Sequence, residues 1–349
     1  MIVDVKESEI LKDKKLNDLF SSANLQDLNK KCKILNGDFY LDSFNYFPVT
    51  TNFKTFHMLF KRQDENLVDH FYTEDFYKNF IDKKKDFKRI KNSYVLGTSP
   101  ADNYFSNLIH FLPRIFFNNE KKINFVIHRN LTNKFRNLII SLCKIREIHV
   151  NFNYIDDGFY IFENCSIPQF FKINESIDIL KFFIDKVLIN IKNPEFGTKI
   201  YIRRDDTHYR KILNEADLIE KLRENNFDII NPHHFEILSQ MKIFSNAEIV
   251  ISPYGSNLSN IIFCNKRTKI IEISPGFEKQ YEKNISNRYK GLAEMVGLNF
   301  HKIKAETVDV EKHSDLAKKY ISKNILDDSD YYKNMILKVS EIDKLINNL

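Results

Sequence analysis

The sequence predicts an α/β protein whose helices cover mainly parallel sheets. The first observation is that apolar, β-branched runs alternate with amphipathic helical patterns through residues 198–275. Such alternation is typical of parallel strands joined by crossover helices. The second is a shorter strand–helix–strand pattern over residues 123–152. The third is the length of 349 residues, 43% of them hydrophobic, which is enough for two domains with sizeable cores.

The two patterned stretches predict two lobes. Residues 190–197 lie between them and carry a Pro and a Gly, which is typical of a link between domains. We therefore expect an N-terminal lobe over residues 1–192 and a C-terminal lobe over residues 193–313. An amphipathic pattern near the end of the chain predicts a helix within residues 314–349.

The most informative stretch is residues 249–263, where a strand, a glycine turn and a helix start follow one another. Residues 249–251 are apolar and β-branched, Gly255 follows, and Ser256 and Asn257 are residue types that begin helices. The first N–H groups of a helix have no intrahelical partner and carry the positive end of its dipole, so they attract anions. Because glycine has no side chain, this turn would let a phosphate approach the backbone. The stretch therefore predicts a phosphate site.

Arginines near the turn strengthen this prediction. Residues 199–204 form a predicted strand that ends in Arg203 and Arg204, and Arg210 follows. Guanidinium groups bind phosphate through paired hydrogen bonds. Since side chains alternate along a strand, we expect Arg204 but not Arg203 to face the ligand.

Several motifs follow one another along this half of the chain: Tyr-Ile-Arg-Arg at 201–204, Asn-Glu at 214–215, Gln240 on a helix, Pro-Tyr-Gly-Ser-Asn-Leu-Ser-Asn at 253–260, and Glu272 on an apolar strand. This ordered set resembles the catalytic domain of glycosyltransferase family 61. The resemblance implies the GT-B arrangement, in which two Rossmann-like lobes face a central cleft and a C-terminal helix packs back on the N-terminal lobe. It also implies inverting transfer of a sugar from a nucleotide-sugar to a hydroxyl, in a bacterial branch that builds capsule, lipopolysaccharide or other cell-surface polysaccharide.

The resemblance further implies which residues bind the donor. Arg204 and Arg210 would hold the diphosphate together with the helix start. Asn260 would brace the turn and Glu272 would bind the ribose, although purely structural roles for these two remain open. Tyr254 stands where the family usually has His. The full donor-binding set is Arg204, Arg210, Asn214, Gln240, Tyr254, Gly255, Ser256, Asn257, Asn260 and Glu272.

Residues 103–114 are similar to the family's N-terminal signature. Asn103 and Arg114 match it, and the resemblance places them on the acceptor side. Ser106 replaces the family's His, and His110 replaces its acidic residue, the position where we expect a catalytic base. An imidazole can take a proton near neutral pH, with Ser106 one helical turn away to orient it or the substrate. Alternatively, His110 is a polar residue on a buried helix and the base lies elsewhere.

A second candidate base is Asp157, in the Asp-Asp-Gly sequence at residues 156–158. This tripeptide is similar to the acidic-acidic-Gly motif of bacterial sialyltransferases, which would make Asp157 the base of an enzyme that uses a CMP-sugar. Alternatively, the segment is a turn between two strands, because Asp-Gly is a strong turn dipeptide.

No metal or other cofactor is expected. Asp205 and Asp206 invite comparison with the Asp-x-Asp metal motif of the other glycosyltransferase fold, but their position after the arginine strand favours a solvated loop. The four cysteines are widely spaced, which favours buried free thiols over a zinc site or disulfides.

The resemblance implies a nucleotide-sugar donor and a glycan or lipid-linked saccharide acceptor as partners. The net charge of +6 is modest and no nucleic-acid-binding motif occurs, so we expect no nucleic acid. Residues 83–91 are the densest basic run, either a solvated segment or a contact with an anionic membrane. With no apolar span and an acidic N-terminus, we expect a cytoplasmic protein, with this run as candidate contact to the inner membrane.

One rival function belongs to another class. The departures from the family pattern at Ser106, His110 and Tyr254 also fit a non-catalytic relative. Such a protein would bind a nucleotide or a glycan but would have lost the base.

Overall fold

The structure is a computed structural model that describes residues 3–43, 48–60, 87–97, 103–204, 209–276, 286–308, 333–338, 340–341 and 343–344. The chain divides into two compact units, Met1–Ile184 and Asp185–Leu349. The division falls before the boundary predicted at residue 192. Each unit is described by itself below.

The first unit is built on a ten-stranded mixed sheet. Its strands are β1 (Val3–Asp4), β2 (Phe20–Leu25), β3 (Lys30–Asp42), β4 (Pro48–Thr50), β5 (Lys54–Thr55), β6 (Lys88–Lys91), β7 (Tyr94–Val95), β8 (Lys122–His128), β9 (His149–Ile155) and β10 (Phe159–Pro168). Its helices are α1 (Glu7–Ile10), α2 (Lys14–Asn17), α3 (His57–Phe60), α4 (Asn133–Ile145) and α5 (Ile173–Leu188).

Strand order explains which part of this sheet can carry a site. The order is β1-β5-β4-β3-β10-β7-β8-β9, and β10, β7, β8 and β9 are parallel neighbours while β3 is antiparallel to β10. The predicted strand–helix–strand pattern is confirmed as β8, α4 and β9. Thr132 begins α4 by accepting a hydrogen bond from the backbone N–H of Phe135 at 3.3 Å. The carboxyl ends of β7, β8 and β9 therefore share one edge, where α/β proteins bind ligands.

The predicted helix after residue 102 has an irregular form. Ser106–Phe111 is a π-helix and Leu112–Phe117 is a 3₁₀ helix. Pro113 explains the change, because its ring and its missing N–H prevent a regular α-helix from continuing through it. Every residue of both segments is buried.

The second unit contains a six-stranded sheet. Its strands are β11 (Lys199–Ile202), β12 (Asp228–Ile230), β13 (Ile249–Pro253), β14 (Lys269–Pro275), β15 (Asn299–Val308) and β16 (Asn334–Ile336). Its helices are α6 (Glu215–Glu224), α7 (Ile237–Asn246) and α8 (Arg288–Val296), with 3₁₀ helices at Pro232–His234 and Ser256–Phe263.

The second sheet confirms the predicted α/β class. Its order is β12-β11-β13-β14-β15-β16, with the first five strands parallel. The chain leaves β11 for β12 on one side, crosses over through α7, and returns as β13 on the other side. In a doubly wound sheet this reversal of direction is a topological switch point, and ligands bind there at the carboxyl ends of the strands.

The C-terminal segment differs in part from its prediction. A helix is predicted within residues 314–349, but Asn334–Ile336 is strand β16, antiparallel to β15 in the second unit's sheet, whereas the described residues 340–341 and 343–344 are helical. The packing of this helix on the N-terminal lobe stays a prediction. Met335 and Leu337 are both buried, and this two-residue period is that of a strand. Residues 309–332 lie outside the described part of the chain. Among the described residues, no helix is long and apolar enough to cross a membrane.

Two smaller expectations concern surface charge and thiols. All four cysteines are buried free thiols, as predicted, and burial raises the pKa of Cys32 to about 12. Of the basic run at residues 83–91, the described part includes β6, where Arg89 and Lys91 both pair with Glu163.

Candidate functional sites

A cationic cavity lies at the switch point between β11 and β13. Its volume is about 150 Å³. Three of its lining side chains are basic and one is acidic. The lining residues are Arg203, Arg204, Lys211, Ile212, Glu215 and Pro253. A cavity of this charge at this place suits an anionic ligand.

Both arginines of the 203–204 pair line this cavity, which corrects the expectation that only Arg204 would face the ligand. The physical reason is that β11 ends at Ile202, so the alternation of a strand no longer governs the two residues that follow. Arg203 Nε lies 3.4 Å from Glu215 Oε2, and Tyr201 donates a hydrogen bond to the other oxygen of Glu215 at 2.7 Å.

Arg204 lies directly on the glycine turn. Its Nη1 donates to the Tyr254 carbonyl oxygen at 3.1 Å, and a Cβ added to Gly255 would overlap its guanidinium. Ser256 and Asn257, both half-buried, begin the 3₁₀ helix that follows. The space beside Gly255 is thus filled by the flexible end of Arg204, which would have to move if this position carried a side chain, and guanidinium groups are suited to bind phosphate.

Arg210 reaches the same region from a buried position. It has a φ of 58°, an unusual left-handed conformation for a non-glycine residue. Its guanidinium lies 5.1 Å from the centre of the Tyr254 ring, a cation–π contact, and that ring packs edge-on against Tyr289. Its backbone N–H donates to the Lys333 carbonyl at 3.1 Å. Tyr254, which stands where the family usually has His, therefore contacts the Arg210 guanidinium through its ring.

Glu272 lies in the interior of the sheet. Its side chain is fully buried, and Lys302 Nζ on the next strand is 3.4 Å from its Oε1. Burial raises the pKa of Glu272 to about 7, although the nearby Lys302 and Arg210 charges oppose the rise. The ribose-binding role of Glu272 stays a prediction, as does the purely structural role that the sequence left open.

Three further residues of the predicted donor set contact the protein backbone or are buried. Asn214 pairs with the backbone of Leu337, donating to its carbonyl at 2.7 Å and accepting from its N–H at 3.0 Å. Gln240 donates to the Phe235 carbonyl at 3.0 Å. Asn260 is fully buried within the 3₁₀ helix after the turn. The structure thus gathers Arg204, Arg210, Tyr254, Gly255, Ser256 and Asn257 around the turn.

Of the predicted catalytic and acceptor-side residues in the segment 103–114, His110, Ser106 and Arg114 are buried in the first unit and Asn103 is half-buried. His110 is 1% exposed, with its ring edge-on to Phe105 and Phe170 at 5.6 and 6.4 Å. Asn103 accepts a hydrogen bond from the backbone N–H of Ser106 at 3.0 Å. Ser106 is itself buried.

Arg114 is a buried cross-link. It donates to the carbonyls of Leu96 at 2.7 Å and Pro168 at 2.5 Å, and it stacks on Phe170 at 4.4 Å. Burial lowers its pKa to about 10, because a low-dielectric interior disfavours the charged form. This arginine ties the 3₁₀ segment to the sheet and has no surface to offer an acceptor.

Asp157, by contrast, lies at the surface at the carboxyl end of β9. His128, the last residue of β8, places its Nε2 3.2 Å from Asp157 Oδ1. Sequence reasoning did not single out His128. The available signal was a titratable residue at the end of an apolar strand, next to the strand that leads to Asp-Asp-Gly.

Comparison with known proteins identifies the family of the chain. A sequence model of the family described as Glycosyltransferase 61 matches residues 46–271, well over half of the chain. The chain belongs to the glycosyltransferase 61 family. The match covers all the predicted site residues except Glu272.

The chain is also similar to a named glycosyltransferase. The chain is 25% identical over 143 residues to the EGF domain-specific O-linked N-acetylglucosamine transferase of Drosophila melanogaster. The similar region is 40% of this chain and 25% of that protein, so the chain matches only about a quarter of the relative's length.

Among the described residues, no group of three or more His, Cys, Asp or Glu side chains is arranged to hold an ion. Asp205 and Asp206 lie outside the described residues.

Proposed function

We propose that this glycosyltransferase moves a sugar from a nucleotide-sugar to a hydroxyl, with inversion at the anomeric carbon and without a metal ion. The observation that carries the proposal is the cavity at the switch point, which Arg203, Arg204 and Lys211 line and where Arg204 contacts the glycine turn. A nucleoside diphosphate is the anionic part of such a donor, and cations at a helix start are suited to bind it.

The proposed chemistry uses this charge at the moment of bond breaking. When the bond between the anomeric carbon and the phosphate oxygen breaks, negative charge grows on the leaving diphosphate. Fixed positive groups stabilise that charge more in the transition state than in the bound donor, and this difference accelerates the reaction. In a single displacement the acceptor oxygen attacks from the opposite side, so the configuration inverts.

The finer assignments belong to the same proposal. We take the two units to be the two lobes of a GT-B enzyme, with the second binding the nucleotide. The acceptor is a cell-surface glycan or a lipid-linked saccharide such as a capsule or lipopolysaccharide precursor. Residues 83–91 serve as a contact to the cytoplasmic face of the inner membrane.

The name of the relative suggests a first donor to test. N-acetylglucosamine is the sugar that the Drosophila enzyme transfers, so UDP-N-acetylglucosamine heads the panel, followed by GDP-mannose and a CMP-sialic acid. Preferential binding of the CMP-sugar would favour the sialyltransferase-like alternative. Binding of none of the three would contradict the proposal that the cavity holds a nucleotide-sugar.

Arg204→Ala tests the donor site. We expect nucleotide affinity to fall by about 1.5 to 3 kcal/mol, because a charge-assisted hydrogen bond to phosphate is lost. Isothermal titration with UDP, GDP and CMP measures this. The matched control is Arg267→Ala, which removes an exposed arginine of the same unit. The proposal is wrong if both variants bind nucleotide as the wild-type protein does.

A further inference from the structure

We propose that Asp157 takes the proton from the acceptor hydroxyl and that His128 is the positioning residue that holds it. This inference rests on the proposed function and deepens it. Its basis is the hydrogen bond of 3.2 Å between His128 Nε2 and Asp157 Oδ1, made where the parallel strands β8 and β9 end side by side.

The hydrogen bonds of His128 define its protonation. The backbone N–H of Asn130 donates to His128 Nδ1 at 3.1 Å, so Nδ1 is an acceptor and the ring proton sits on Nε2. Nε2 therefore donates to Asp157. Both ring nitrogens are therefore engaged, and in the contact with Asp157 the imidazole donates the hydrogen bond and the carboxylate accepts it.

The two side chains of the pair also differ in their exposure to solvent. The His128 side chain is 5% exposed, whereas that of Asp157 is 48% exposed. The imidazole is thus fixed in the interior while the carboxylate stays open to a substrate. A buried neutral histidine that orients a reactive group is a common supporting arrangement at active sites.

The turn that carries Asp157 is held rigidly. Gly158 has a φ of +147°, a conformation that side chains disfavour. The buried hydroxyl of Ser43 donates to the Asp156 carbonyl at 2.8 Å and accepts from the Gly158 N–H at 2.9 Å. The carboxylate of Asp156 is occupied separately, because Arg129 Nε donates to it at 2.9 Å, and this hydrogen bond lowers its pKa. The two neighbouring carboxylates are about equally exposed, at 45% for Asp156 and 48% for Asp157, and they differ in their partners: Asp156 is held by Arg129, whereas Asp157 is held by His128.

The contrast with His110 decides between the two candidate bases. A general base must come within hydrogen-bond reach of the proton that it removes. His110 is 1% exposed among aromatic rings, and Asp157 lies at the ligand-binding edge of its sheet. In the step inferred here, an oxygen of Asp157 takes the acceptor proton while the acceptor oxygen bonds to the anomeric carbon. The bond from that carbon to the donor phosphate breaks, the nucleotide leaves with the electron pair, and Asp157 then releases its proton to water.

The test compares four variants in two assays and uses a fifth, Asp157→Ala, in a rescue experiment. The first assay is release of nucleotide from the panel donor that the wild type binds, beginning with UDP-N-acetylglucosamine and with water as acceptor. The second is nucleotide affinity by calorimetry. Asp157→Asn removes the base, His128→Leu removes the supporting donor, and His128→Gln restores an N–H near the Nε2 position. Asp156→Asn is the control, because it neutralises the adjacent carboxylate.

We expect Asp157→Asn to lower kcat by about a thousandfold, within the range of a lost general base. His128→Leu is expected to lower kcat by about ten- to a hundredfold, as loss of a supporting hydrogen bond does. His128→Gln recovers most of this rate, Asp156→Asn stays near wild type, and all four keep the wild-type nucleotide affinity. Added formate partly restores Asp157→Ala, since an external carboxylate can stand in for a base but not for a structural residue.

If the wild-type protein turns over a donor, three results would overturn this inference and leave the proposed function intact. These are an Asp157→Asn enzyme as fast as wild type, a His128→Gln enzyme as slow as His128→Leu, and a loss of nucleotide affinity in Asp157→Asn that matches its loss of rate. If the wild type bound no nucleotide and released none from any donor, the proposed function would fail, and the inference with it.

Discussion

Glu272 shows how strongly burial can change the pKa of one side chain. The sequence places it on an apolar strand, and the structure encloses it completely with Lys302 as its neighbour on the next strand. Its pKa of about 7 lies well above the value of about 4.3 expected in an unfolded chain. Between these two values the folded protein keeps a proton that the unfolded chain has lost.

This difference gives a prediction for stability. Because the unfolded state binds fewer protons in that window, the free energy of unfolding falls as pH rises from about 4.5 to 7. The loss is on the order of 3 kcal/mol, from roughly 1.4 kcal/mol per pKa unit. Glu272→Gln carries no proton to lose, so relative to wild type it gains stability between pH 5 and pH 8. Urea unfolding of both proteins at the two pH values measures the difference.

The control for this prediction is Glu294→Gln, which makes the same charge change at an exposed site on α8. It is expected to follow the wild type at both pH values. If Glu272→Gln also follows the wild type, the buried carboxyl does not keep its proton in the folded state.

At the residue scale, the glycine turn and Arg204, both singled out from the sequence, lie in contact, but other contacts of the predicted site residues could not be foreseen. The expectation that only Arg204 faces the ligand extended strand alternation two residues past the end of β11. The donor role of Asn214 stays a prediction, and its amide pairs with the backbone of Leu337, more than a hundred residues away. Such partners cannot be read from local sequence, because they depend on which distant segment the fold brings close.

At the scale of elements, the C-terminal strand β16 supports the arginine segment. Met335 donates its N–H to the Lys211 carbonyl at 2.7 Å, and Leu213 donates to the Met335 carbonyl at 2.8 Å. The side chain of Asn334 accepts from the Lys211 N–H at 3.0 Å. Lys211 lines the cavity, so a strand from the end of the chain holds one of its cations in place.

Alternation along β16 gives a prediction that separates a strand from the helix expected here. Met335 is fully buried in the core, whereas its neighbour Ile336 is 37% exposed. Met335→Ala is expected to lower the free energy of unfolding by about 2 to 5 kcal/mol, the cost of a core cavity. Ile336→Ala is the matched control and is expected to cost less than about 1 kcal/mol, because it removes far less buried surface. Equal losses in urea unfolding would contradict the strand.

The elements that were predicted well share a physical cause. The strands β13 and β14 are largely apolar runs bounded by turn residues, and helix α4 of the first unit shows a helical period in its apolar residues, so both patterns are visible in local sequence. A three-residue strand such as β16 shows no such period, and its partners, β15 and the segment around Lys211, are far away in sequence. The same limit hid the irregular form of Ser106–Phe111, because a π-helix differs from an α-helix by one residue per turn.

For the whole molecule, the question is where the charge of the leaving diphosphate is balanced. The chain has a net charge of +6, and its basic side chains are not spread evenly around the second sheet. Arg203, Arg204 and Lys211 line one cavity, and Arg210 lies beside it against Tyr254. Protein cations in this number can do what a divalent ion does for diphosphate in other transferases.

We therefore expect transfer to be independent of metal ions. Turnover of the donor selected from the nucleotide panel is expected to stay within about twofold after excess EDTA, because arginine and lysine side chains carry the charge stabilisation and a chelator does not remove them. The measurement is nucleotide release before and after chelation, with a Mg²⁺-dependent transferase treated in parallel to show that chelation was effective. Loss of activity on chelation, followed by recovery with Mn²⁺ or Mg²⁺, would contradict metal independence and would direct attention to the carboxylates of Asp205 and Asp206 beside the arginine pair.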